Sequence, residues 1–175
     1  MSITFNTNLK PSPDELFFDD YPAFLPTLTP FQILKAGVFG GTYFSHYSYR
    51  EFIPLDWHSL PTNKYTLNTQ NKNVNCYGIL ANKSREWWEE RNLINHQYDT
   101  EGWFQWYCRF YYGRRCPDDI RQIQRWKSFK ARHFARYTKL ITNRPGNTTT
   151  QLTDKITYPK YKQSLMQWAI DPKVL

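Results

Sequence analysis

Two short constellations in this 175-residue chain hold side chains suited to proton chemistry. Asp56-Trp57-His58 sets an acid and a base two positions apart, so an extended backbone would place both on one face. Asp99 and Glu101 repeat the spacing with two carboxylates, a pair able to hold a hard cation or to divide the roles of general acid and base. No phosphate-binding glycine loop, dinucleotide fingerprint or nucleophile elbow accompanies them. The four histidines, His46, His58, His96 and His133, stand in no metal-ligand pattern. Loop acids more often cap turns, and single histidines pack or hydrogen-bond. The expectation is therefore no metal and no cofactor. A small nucleic-acid-processing enzyme, a nuclease or a base-removing glycosylase, remains the alternative function class.

A different set of residues points to binding. The chain carries 23 Lys/Arg against 15 Asp/Glu, a net charge of +8. Between Arg109 and Lys139 there are ten basic and two acidic residues; elsewhere 23 − 10 = 13 basic residues balance 15 − 2 = 13 acidic ones. The whole excess thus lies in one segment, a localised positive field. At 100° per residue, Arg121, Arg125, Arg132, Arg136 and Lys139 share one edge of a helix, about 27 Å long at the standard rise. Arg121/Arg125 and Arg132/Arg136 are like-charge pairs four apart, which repel by a few tenths of a kcal/mol each. A polyanion outside the helix would relieve them, and arginine's planar fork suits phosphate. Nucleic acid, DNA or RNA, is the leading partner. The acidic stretch around Asp14, Glu15, Asp19 and Asp20 is the competing one. Docking into a larger nucleoprotein assembly is a further alternative.

Two aromatic and two basic residues extend this candidate surface. In GWFQWYCRFYYGRR, Trp103, Trp106, Tyr107, Phe110 and Tyr111 fall on one helical face and are expected in the core. Phe104 and Tyr112 lie off that face and are the candidates for base stacking. Arg114 and Arg115, just ahead of the next helix start, could cradle an anion.

The elements that must position these groups are legible in part. Residues 1–28 form an extended arm rich in proline and acids, with Phe17, Phe18, Tyr21 and Phe24 as anchors. Residues 29–175 are expected to form one compact α+β domain, with a small antiparallel β-hairpin or sheet and a helical C-terminal half. Thr29, Pro30 and Gly37 mark the N-cap, first position and C-cap of a short helix. Alternating aromatic and polar residues over 38–52 suggest the hairpin. Pro117 opens a long helix reaching about Ile141, 143–154 read as a loop, and Pro159–Ile170 as a last helix.

An aromatic content of 18% argues against disorder. Three cysteines without a CxxC pair suggest free thiols, hence an intracellular, reducing compartment such as cytoplasm or nucleus. There is no apolar run long enough to span a membrane and no leader pattern at the start. Taken together, FGGTYF, GWFQWYCRFYYGRR, DDIRQIQRW and LMQWAID resemble an uncharacterised family of small, aromatic-rich basic proteins that share this motif order. The resemblance covers Thr29 to Asp171 and implies a single domain; it implies no activity.

Overall fold

Helix α1, Pro30–Ala36, starts where its first turn can be satisfied by side chains. The Thr29 hydroxyl accepts from the Gln32 N–H, and the Gln32 side chain accepts from the Thr29 N–H, a reciprocal capping box. Pro30 at the first position loses no hydrogen bond. Gly37 ends the helix with φ 66°, and a Cβ there would meet the Val74 carbonyl oxygen, so no other residue fits. This is a computed structural model, and it describes residues 3–11, 15–45, 59–81, 85–91, 94, 97–146 and 148–174.

The other α-helices among the described residues are α2 (Arg85–Glu89), α3 (Trp103–Tyr111), α4 (Asp119–Phe129), α5 (Ala135–Thr142), α6 (Thr148–Thr153) and α7 (Pro159–Gln167). The protein is thus mostly helical, and the expected α+β class is corrected. Among the described residues the only strand pairing is two residues long. Thr4–Phe5 (β1) runs antiparallel to Arg114–Arg115 (β2). The expected hairpin does not form over 38–45, which are turns, and 46–52 lie outside the described residues. Gly37, Gly40 and Gly41 all have left-handed φ, at 66°, 65° and 87°. Three such residues within five positions coil the chain where a strand needs it extended. Phe39, Tyr43 and Phe44 reach the core from that coil instead.

Helix α3 is the centre of the molecule. Every residue from Trp103 to Tyr111 is buried except Arg109. The stripe Trp103, Trp106, Tyr107, Phe110 and Tyr111 packs inward as its spacing predicts. Phe18 and Phe24 from the N-terminal stretch close over it, with Phe24 5.1 Å from Trp126 and 5.5 Å from Phe110 by ring centroids. Tyr21 is half-buried and Phe17 exposed. Each fully buried large side chain contributes about 1.5–3 kcal/mol, and edge-on aromatic pairs add about 0.5–1.5 kcal/mol. A column of rings then leads outward: Tyr107 on Trp103, Trp103 on Trp168, Trp168 on Phe129, Phe129 on His133.

The long C-terminal helix is interrupted. Between α4 and α5, Lys130–Phe134 form a π-helical turn. A π turn inserts about one extra residue, which rotates everything after it by about 100° relative to an unbroken α-helix. Residues 148–153, read as part of a loop, form α6. The last helix stops at Gln167, because Ala169 adopts φ 56°. Among the described residues no helix is long and apolar enough to cross a membrane.

Candidate functional site

Four of the arginines that point to a polyanion are neutralised within the fold. Asp99, with a fully buried carboxylate, accepts from Arg109 Nη1 at 3.0 Å and from Arg114 Nη2 at 2.7 Å. Burial pushes the Asp99 carboxyl above its ordinary pKa, and Arg114 and then Arg109 oppose that rise. Arg115 grips Asp20 with two bonds, 2.6 and 3.1 Å, and lies 3.8 Å over the Phe110 ring. Arg121 forks onto Asp118 one turn back, with Nη2 at 2.7 Å from Oδ2. The expected cradle of Arg114 and Arg115 is therefore a pair of internal ties. Both residues are buried and neither can meet an outside phosphate. The acidic stretch does supply a partner to the basic segment, through Asp20 and its grip on Arg115.

The two stacking candidates also lie inside. Phe104 is 2% exposed, covered by Phe39, Tyr43 and Phe44. Tyr112 is 7% exposed, against Tyr111 and with the Lys10 ammonium 5.0 Å from its centroid. Both are off the main stripe of α3, yet a helix surrounded on every side has no free face. Asp99 and Glu101 form no open acid–base pair, since Asp99 is enclosed and saturated by arginine. The Glu101 backbone is engaged too: its carbonyl accepts from Tyr43 and its N–H donates to Gln105. Asp56 and His58 lie outside the described residues.

The π turn divides the rest of the stripe. On its N-terminal side, Arg125 is half-buried, donates to Gln122 Oε1 at 2.8 Å and lies over Trp168 at 5.7 Å. Burial, and next the charge of Arg121, lower its pKa to about 10, so it stays charged at neutral pH. Arg132 within the turn, and Arg136 and Lys139 beyond it, are exposed, and no ion pair to an acid holds them among the described residues. Arg132 Nε donates to the Ser128 carbonyl, and Arg136 lies 5.8 Å over the Tyr161 ring.

Two of these three cations reach one cleft. It has a volume of about 430 Å³ and is lined by Arg136, Lys139, Leu140, Asn143, Arg144, Pro145 and Tyr158. Arg136 and Lys139 come from α5, one turn apart. Arg144 comes from the turn after α5 and places its guanidinium 5.6 Å over the Tyr158 ring. No acid lines the cleft. Three cations thus share the lining with Leu140, Pro145 and Tyr158, a mixture that suits an anionic ligand carrying a flat or apolar part. Arg144 and Tyr158 escape a reading based on periodicity, because they sit in connecting segments. The one signal in the sequence was the run of cations continuing past Lys139 to Arg144.

Compared with known protein families, curated proteins and solved structures, the chain finds no match. The site therefore stands on its own chemistry.

Proposed function

We propose that this protein binds nucleic acid through the exposed cationic surface of α5 and its adjoining cleft. The observation that carries this reading is the convergence of Arg136, Lys139 and Arg144 on one cleft with no lining acid. Such a group would repel itself in isolation, and phosphates would relieve it. Arg132, one turn before Arg136, extends the surface along the helix. Arginine and lysine at these spacings serve successive phosphates of a backbone, without reading sequence.

The test is fluorescence anisotropy of labelled DNA and RNA oligonucleotides titrated with the protein over a range of salt. Neutralising about three phosphates on a single strand gives a slope of log K against log salt near −2. Affinity that falls with this steepness supports the reading. Absence of binding to any oligonucleotide at low salt overturns it.

A further inference from the structure

The cleft has two properties that attraction for phosphate does not require. One is its lining. Leu140, Pro145 and Tyr158 line the cleft together with the three cations and Asn143. The Arg144 guanidinium lies 5.6 Å from the Tyr158 ring centroid, and aromatic rings and guanidinium planes are both stacking surfaces for bases. The other is the backbone of Tyr158. It adopts φ 50°, ψ 49°, a left-handed conformation that bulky residues rarely take.

The surroundings hold Tyr158 there. Its carbonyl accepts from the Tyr161 and Lys162 N–H groups at 3.0 and 3.1 Å, and Pro159 follows as the first residue of α7. Thr157, just before it, is tied to Asp154 through both backbone and hydroxyl. The fully buried Lys162 ammonium locks the same loop by donating to the Gln151 and Asp154 carbonyls. The left-handed backbone of Tyr158 is thus fixed from both sides, and strained residues of this kind cluster at binding sites.

We infer that this cleft is a subsite for one unpaired nucleotide, so that the preferred ligand is a single strand. The inference rests on the nucleic-acid reading above. The base lies against Tyr158, Leu140 and Pro145, while the flanking phosphates meet Arg136, Lys139 and Arg144. A volume of about 430 Å³ is at the small end of ligand sites, which run to roughly 1,000 Å³. That is room on the scale of a single nucleotide. In a duplex the base faces are stacked away, so an aromatic wall inside a concavity would touch nothing. Stacking is tolerant of base identity, so the preference is for strandedness over sequence.

Matched single-stranded and blunt duplex oligonucleotides, in DNA and RNA, provide the test with wild type, Tyr158→Gly and Tyr158→Phe. Glycine removes the ring and is at ease at this φ, so the start of α7 is kept. Wild type should bind the single strand at least about tenfold more tightly than the duplex. Tyr158→Gly should lose about tenfold on the single strand and little on the duplex. Tyr158→Phe keeps the ring and should bind as wild type does. Equal affinity of wild type for both forms overturns the subsite, whatever the variants do. So does an unchanged affinity in a folded Tyr158→Gly. In either case nucleic-acid binding itself survives. Failure of wild type to bind either form overturns the underlying reading as well.

Discussion

Reversing the three cleft cations together, Arg136→Glu, Lys139→Glu and Arg144→Glu, should weaken binding to single-stranded oligonucleotides by about a hundredfold or more at moderate salt. Three phosphate contacts are lost and three like charges replace them, and the loss should shrink as salt rises. All three side chains are exposed, with no acidic partner among the described residues, so the melting temperature should stay close to that of wild type. Anisotropy titrations paired with thermal melts would check this. A folded triple variant that binds as wild type does would remove the cleft from the account.

Asp99→Ala should act on the fold. The carboxylate is fully buried between Arg109 and Arg114, and the Arg114 side chain is itself 5% exposed. Removing it leaves a buried guanidinium without its counter-charge, at a cost of about 3–5 kcal/mol. In a domain of this size each kcal/mol moves the melting temperature by roughly 2–4 °C, so a fall of roughly 10 °C is expected. Calorimetry or a circular-dichroism melt reads this directly. A variant with wild-type stability that lost a nuclease or glycosylase activity would instead promote the enzyme alternative.

The arginines show why composition alone misplaces a site. The charge excess between Arg109 and Lys139 is real, but Arg114 and Arg115 find acids 15 and 95 residues away. Nothing local marks those partners. Arg121 and Arg125 share an edge as their spacing predicts, yet each is engaged by its own helix, at Asp118 and Gln122. For that reason Arg125→Glu would report on packing against Trp168 as much as on binding. Periodicity could not foresee the π turn at Lys130–Phe134, because α and π turns call for no distinct pattern of residues.

Local signals fared best where the physics is local. The caps at Thr29, Pro30 and Gly37 act within α1, and the aromatic stripe of α3 follows from helical geometry. The burial of Phe104 depends on Phe39, Tyr43 and Phe44 arriving from a coil built on left-handed glycines. The alternation of aromatic residues there imitates a strand. Tyr158 was hidden for a similar reason: its left-handed backbone is imposed by the loop around Lys162 and carries no sequence signature.

The central claim is that nucleic acid lies in the cleft of Arg136, Lys139, Arg144 and Tyr158. Photo-cross-linking of the wild-type protein to a single-stranded oligonucleotide, followed by mass spectrometry of the adducted peptides, tests it most directly. Adducts at Tyr158 and in the stretch from Lys139 to Pro145 are the predicted result. Adducts confined to peptides outside α5 and the 143–158 segment would contradict it.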